Sequence, residues 1–586
     1  MTGKHTGYPS IDKPWMKYYE NDNDSTSYIQ KTIYRNIYDN SKGRLDSYAL
    51  QYFNIKISYR EMFEKVDMCV EALSQESIKA GDCVNLCVSN IPEVAYVVLA
   101  CSKIGAIANF INPLFTTEQK IERMRETESK ILIVLDAMFE YVDECIEQIN
   151  ISKVIIIPAT NSLPWIAQQI GNVKNRKTTI QRKLKVDSKF SLWIDFLKSH
   201  KQNSPSFRES IEPGKPVVMV YSSGTTGASK GIVLTNAGIN STLRHYQSPN
   251  FPYKAGDTFL AMIPVWFSTG IVLSVLMPLC LGIRVIMEPM FTKENFARDI
   301  QKYKPNMTLS ATSLWVYAIH SKELEKEDMA QFTYPITGGE QILPETEEEI
   351  NRFLQVHNCN APILKGYGMC ELGSAITAAS LIHNKANSVG YPIKGVTVAA
   401  FDMSTKEEMP YNERGEIWVD SPAHMKEYFH NLVATESFFM VDKTGRKWGR
   451  TGDIGYVDED GDVYILGRAS DNYYTKEGIC VYAFDVEAVI HQEPTVLMCK
   501  VIETVVDRER KIIAHIVLKS PITEAVNDIV SRINRKCNER LKKYEIPHFY
   551  KITDTFPVHV NGKRDNEALK NDISDLIDVK NLKIET

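Results

Sequence analysis

Short, continuous apolar runs separated by segments of helical period constrain this chain more than any other feature. Ile131–Leu135, Val154–Ile157 and Val217–Tyr221 are too brief for core helices and read as strands buried on both faces. Among them, Ser58 to Glu61 forms a capping box, and Met62, Val66, Cys69, Val70 and Leu73 then recur at helical spacing. A second box, Thr116 to Gln119, opens another helix ahead of Ile131. Strands alternating with helices predict an α/β fold with parallel strands and crossover helices.

At 586 residues, with 44% hydrophobic and 24% charged, the chain has room for roughly two to four domains and is neither disordered nor fibrous. A formal charge of -5 gives no global pull toward nucleic acid or an anionic membrane, so any polyanion must be met locally. Met1 to Pro14 is polar, without the basic-then-apolar pattern of a secretory signal, and the default compartment is the cytosol. The longest apolar stretch, Gly270 to Ile283, is too short to span a bilayer and is broken by Pro278, so it reads as core. The 11 cysteines contain no CxxC pair and no histidine at zinc-ligand spacing, which predicts reduced, metal-free thiols. The basic stretch from Asn172 to Lys189 reads as a solvated loop.

Toward the end of the chain, Gly461 to Arg468 reads as a strand closed by Gly-Arg. Lys511 to Leu518 reads as a second strand, and Val526, Ile529, Val530, Ile533, Cys537 and Leu541 line one face of a helix. Together they predict a small α+β domain beginning near Asp471.

The segment Tyr221-Ser222-Ser223-Gly224-Thr225-Thr226-Gly227-Ala228-Ser229-Lys230-Gly231 follows a buried strand directly. Its glycines free the backbone to turn N–H groups toward an anion, its hydroxyls add donors, and Lys230 adds charge. Polyphosphate is the natural guest, although a Ser/Thr/Gly run is also compatible with a plain surface turn. Ser229 precedes Lys230 where a Walker A loop has glycine, so this is a different phosphate loop.

The loop resembles the signature of the adenylate-forming superfamily of acyl-CoA synthetases, luciferases and peptide-synthetase adenylation domains. Further motifs follow in the family's order: Gly338-Gly339-Glu340, Gly366-Tyr367-Gly368-Met369-Cys370-Glu371, Arg450-Thr451-Gly452-Asp453, Gly467-Arg468-Ala469-Ser470-Asp471 and Asn561-Gly562-Lys563. The resemblance covers about Lys56 to Lys570. It implies a large N-terminal domain, 1–470, of stacked α/β subdomains with a β-rich subdomain, and a small mobile α+β C-terminal domain, 471–586, carrying the catalytic lysine. It also implies activation of a carboxylic acid by ATP as acyl-AMP, with release of pyrophosphate, followed by transfer to coenzyme A.

By the same resemblance, Lys563, Glu371 and Thr226 are the catalytic groups. Ser222, Ser223, Gly224, Thr225, Thr226, Gly227 and Lys230, with Gly338, Gly339, Glu340, Gly366, Tyr367, Gly368 and Cys370, frame the nucleotide. Tyr367 suits stacking on adenine, or is an ordinary core tyrosine. Glu371 offers a hard oxygen to Mg²⁺, together with Thr225 or Thr226. Asp453 accepts the ribose hydroxyls, or caps a turn; Arg468 supports the ribose or α-phosphate, or forms a surface ion pair. Lys476-Glu477-Gly478 resembles the loop lining the pantetheine tunnel. Trp266, Phe267, Ser268 and Thr312, with Gly338 and Gly339, line the acyl pocket, an apolar set that favours a hydrophobic or aromatic acid over a dicarboxylate.

The sequence departs from the family pattern at several positions. Cys370 replaces a phosphate-contacting threonine, Ser229 a proline, Glu427 a glycine, Phe267 a histidine and Ala483 a proline, and the segment from Asp471 to Glu487 is one residue longer than usual. A stand-alone adenylase that loads a carrier protein is the alternative enzyme, and an inert acyl or nucleotide sensor the alternative from another class.

Overall fold

The computed structural model describes residues 5–19, 30–163, 179–198, 212–222, 229–248, 250–289, 291–475, 479–557 and 564–581. Among these, the expected strands form as Ile131–Leu135, Lys153–Ile157 and Pro216–Tyr221. They lie in an eight-stranded sheet with Cys83–Cys87 and Ile107–Phe110, paired in parallel. Both capping boxes close as read, ahead of helices Tyr59–Gln75 and Thr117–Glu126.

A nine-stranded sheet lies beside the first. Its centre is parallel, running through Thr258–Ala261, Met307–Ser310, Tyr334–Gly338 and Leu364–Tyr367. Helix Pro92–Ile104 is buried along nearly its whole length and touches strands of both sheets, so one hydrophobic core serves the two layers. A helix wrapped on every side by apolar neighbours has no polar face to offer water, and its sequence reads that way. A third, antiparallel sheet contains Thr397–Phe401, Gly415–Asp420 and the hairpin of Lys447–Val457 with Val463–Arg468.

A separate cluster spans Tyr473 to Tyr550 and shares no residue with the main core. It packs beneath a four-stranded sheet whose longest strands are Val496–Val506 and Glu509–Leu518. Helix Val526–Arg540 contributes Ile529, Val530, Ile533 and Cys537 to it, the face read from periodicity. The fold is thus α/β with a β-rich sheet and a smaller α+β unit, as expected from the sequence.

One reading is corrected. Within the stretch from Asn172 to Lys189, helix Thr179–Val186 forms instead of a solvated loop. Ile180 and Leu184 pack on a core cluster and Lys183 pairs with Asp143 and Glu147, so one of its charges serves docking while Arg182 and Lys185 stay exposed. Residues 164–178 lie outside the described set. The run from Gly270 to Ile283 is core as read, but it opens as a π-helix, Thr269–Leu276, before Met277–Leu281 turns α-helical. Among the described residues no helix is long and apolar enough to cross a membrane. No disulfide joins any of the 11 cysteines.

Candidate active site

Five consecutive residues organise the site. Strand Leu364–Tyr367 ends against Tyr334–Gly338, with Gly338 opposite Gly366. The chain then turns so tightly that a Cβ on Gly368 would lie 1.7 Å from the Ser374 carbonyl oxygen. Only glycine fits that approach. The turn sends Tyr367, Cys370 and Glu371 to three different partners.

Tyr367 donates its hydroxyl to Asp453 Oδ2, and burial with the Asp453 carboxylate raises the phenol pKa well above its ordinary value. Asp453 is delivered by the antiparallel hairpin in which it sits directly across from Arg468. Arg468 Nε lies 3.0 Å from Asp453 Oδ1, and its Nη1 donates to the Thr451 carbonyl at 3.1 Å. Gly452 supplies the left-handed backbone, φ +70°, that turns the strand between Thr451 and Asp453. Arg450, at the head of the same motif, bonds Glu416 through both carboxylate oxygens. Both oxygens of Asp453 therefore carry protein partners. A ribose would share or replace them.

Cys370 receives a hydrogen bond from Ser268 Oγ at 3.0 Å. Ser268 is fully buried at the head of the π-helix, just after Trp266 and Phe267. Those aromatics meet at 6.3 Å between ring centroids, and Phe291 packs edge-on to Trp266 at 5.7 Å. π-Helical turns recur at functional sites, and this one places a hydroxyl on the thiol. Thr312 is buried and bonds Thr337 at 3.0 Å. Glu340 accepts from the Ser313 backbone N–H at 2.9 Å and from its hydroxyl at 3.2 Å.

Glu371 is buried, and its Oε1 accepts the Tyr428 hydroxyl at 2.8 Å. The Tyr428 ring in turn lies under the Lys230 ammonium, 4.9 Å from Nζ to centroid. Lys230 stands at the foot of the expected phosphate loop, between Pro216–Tyr221 and the antiparallel strand Gly231–Thr235. The foot is closed by Ser222 N–H to the Lys230 carbonyl, 3.0 Å, Lys230 N–H to Ser222 Oγ, 3.0 Å, and Ser229 Oγ to the Ser222 carbonyl, 2.7 Å. Ser229, where proline is common, thus closes the loop by a side-chain bond.

Ser223, Gly224, Thr225, Thr226, Gly227, Lys476, Gly478 and Lys563 lie outside the described residues. The flanks of two of these segments are described. Thr475 donates to the Ile479 carbonyl at 2.9 Å, and Asp565 to the Pro557 carbonyl at 2.8 Å. Tyr428 was missed as a site residue. Its sequence context announces only a buried aromatic, and its partner Glu371 is 57 residues away.

Comparison with known proteins decides the family. The family model described as "AMP-binding enzyme" matches residues 38–429, more than half the chain. The chain belongs to the AMP-binding enzyme family. Among curated relatives, this AMP-binding enzyme is 24% identical over 563 residues to a long-chain-fatty-acid–CoA ligase of Bacillus subtilis, covering 94% of this chain and 96% of that one. It is 27% identical to a probable 4-coumarate–CoA ligase of Dictyostelium discoideum, over 72% and 74% of the two chains. Its fold matches an anthranilate CoA ligase in complex with anthranoyl-AMP, with a TM-score of 0.77 at 20% identity over 93% and 98% of the chains. ATP-bound MatB from Rhodopseudomonas palustris matches equally, with a TM-score of 0.77 at 20% identity over 92% and 98%.

Proposed function

We propose that this AMP-binding enzyme is an AMP-forming acyl-CoA ligase: it joins a carboxylic acid to AMP, releasing pyrophosphate, and hands the acyl group to coenzyme A. The observation that carries the reading is the turn from Tyr367 to Glu371. It places a ribose-type carboxylate corner (Asp453), a thiol–hydroxyl pair beside an aromatic pocket (Cys370, Ser268) and a carboxylate next to the phosphate-loop lysine (Glu371, Lys230) around one strand end. Strand C-termini are where parallel α/β sheets bind ligands. The CoA-ligase names of the full-length relatives support the thioester acceptor.

The residues fit a magnesium ion held in the manner usual for nucleotide enzymes. Among the described residues no three His, Cys, Asp or Glu side chains converge on a metal, and Glu371 Oε2 takes no hydrogen bond from them. Mg²⁺ is commonly held by one or two carboxylates plus substrate phosphates. Glu371 with Thr225 or Thr226 would hold it, and its charge would help neutralise the leaving pyrophosphate. Asp453 orients the ribose, Lys230 draws the phosphates, and Trp266, Phe267 and Phe291 keep water from the acyl group of a hydrophobic or aromatic acid. Thiols that form no disulfide suit a reducing compartment, and we place the enzyme in the cytosol.

The smaller unit is proposed to begin near 471 and to swing, with Lys563 facing the site for adenylation and Lys476–Gly478 for thiolysis. Single-turnover kinetics of each half-reaction test this. Lys563→Ala should slow acyl-AMP formation by about 10²- to 10³-fold, as for loss of one preorganised charge donor, while sparing thioester formation from supplied acyl-AMP. Gly478→Trp should do the reverse. Equal loss of both steps in Lys563→Ala would refute the alternation.

A further inference from the structure

Lys230 and Glu371 carry opposite charges against one tyrosine, yet they form no ion pair with each other. Tyr428 stands between them, its face under the Lys230 ammonium and its hydroxyl on Glu371 Oε1. Its backbone is fixed independently of both charges. It pairs with Ile232 on the short edge strand Glu427–Tyr428, and its N–H donates to Thr435 Oγ1 at 2.9 Å. The flanking N–H groups of Lys426 and Phe429 donate to the Val233 and Gly231 carbonyls at 2.8 and 2.7 Å. Phe438 packs edge-on against the ring at 6.1 Å, leaving it little freedom to swing away. Burial and the Glu371 carboxylate push the phenol pKa above its ordinary value, so the hydroxyl stays a donor.

Glu371 is buried and Lys230 exposed, so without the ring the ammonium would be free to turn onto the carboxylate and pair with it. An incoming nucleotide would then have to break that pair before gaining either charge. We propose that Tyr428 is a positioning residue that acts as a spacer, keeping Lys230 available to the triphosphate and Glu371 available to the divalent cation. The ring face repays the ammonium through a cation–π contact, and the hydroxyl repays the carboxylate through a hydrogen bond. Both are weaker than the salt bridge they prevent, and both charges remain exchangeable for ligand.

The inference rests on the nucleotide reading above, and its test separates the two. ATP dissociation constants would be measured by calorimetry in EDTA and again in excess Mg²⁺, for the wild type, Tyr428→Phe, Tyr428→Leu and Tyr428→Leu combined with Glu371→Gln. Tyr428→Phe keeps the ring, so binding in EDTA should stay within about 2-fold of wild type, while the gain in affinity on adding Mg²⁺ shrinks. Tyr428→Leu removes the spacer and should weaken binding in EDTA by about 3- to 5-fold as Lys230 turns to Glu371. Adding Glu371→Gln to that variant should restore metal-free binding, because Lys230 then has no carboxylate to join. A purely structural role for Tyr428 predicts no such rescue. Wild-type affinity in Tyr428→Leu, or a double variant as weak as Tyr428→Leu, overturns the spacer alone. Absence of ATP binding by the wild type overturns the nucleotide reading and the spacer with it.

Discussion

The two ends of the proposed nucleotide site are built on opposite principles. At the nucleoside end, Asp453 is saturated by the protein: Tyr367 holds one oxygen, Arg468 the other, and the hairpin register fixes the carboxylate opposite the guanidinium. At the proposed phosphate end, a lysine rests on a ring and a carboxylate takes one hydroxyl, on Oε1, from the described residues. The first end is rigid and recognises by exchange of hydrogen bonds. The second holds charge apart, in readiness for phosphate and metal. Shape selectivity belongs at the closed end, and electrostatic work at the open end.

The largest effect that would break this contrast comes from Asp453→Ala. The change strips the acceptor from both a buried phenol and a guanidinium, at about 2–3 kcal/mol, or roughly 30- to 150-fold weaker ATP binding by calorimetry. An unchanged dissociation constant would remove Asp453 from the nucleoside site. Tyr367→Phe is gentler. It deletes one donor and leaves Arg468 in place, so the loss should be about 1 kcal/mol, roughly 5-fold. If Tyr367→Phe matched Asp453→Ala, the corner would depend on the phenol and not on the carboxylate. The smallest effect is expected at Cys370, between the two ends. Cys370→Thr exchanges a weak thiol donor for a hydroxyl beside Ser268, and adenylation should persist or rise by about 3-fold at most. Near-complete loss would assign the thiol a role of its own.

The legible part of the molecule was the local part. Capping boxes at Ser58 and Thr116 are closed by residues three positions apart, so sequence alone states the whole interaction. The strands Ile131–Leu135, Lys153–Ile157 and Pro216–Tyr221 declare themselves by continuous apolar runs. The motifs also led to the turn from Tyr367 to Glu371, because all of it but Cys370 follows the family's pattern. Side-chain pairings across long separations were not legible. Tyr367 meets Asp453 over 86 positions and Tyr428 meets Glu371 over 57, and periodicity says which face is buried but never against what. The helix Thr179–Val186 was missed for the same reason. Its lysines look solvated until Asp143 and Glu147 arrive from another element to receive Lys183. The π-helical opening of the run from Gly270 was equally hidden, since its composition is that of any buried segment.

The central claim is that the acid itself attacks the α-phosphate of ATP, and oxygen tracing tests it most directly. A hydrophobic or aromatic acid labelled with ¹⁸O in both carboxylate positions would be turned over with ATP, Mg²⁺ and coenzyme A, and the products read by mass spectrometry. Attack through a carboxylate oxygen places that oxygen in the bridge of acyl-AMP, and cleavage by the thiol leaves it on phosphorus. The account predicts one ¹⁸O in AMP, one in the thioester carbonyl, and unlabelled pyrophosphate. Unlabelled AMP, or formation of ADP with the label in phosphate, would contradict it.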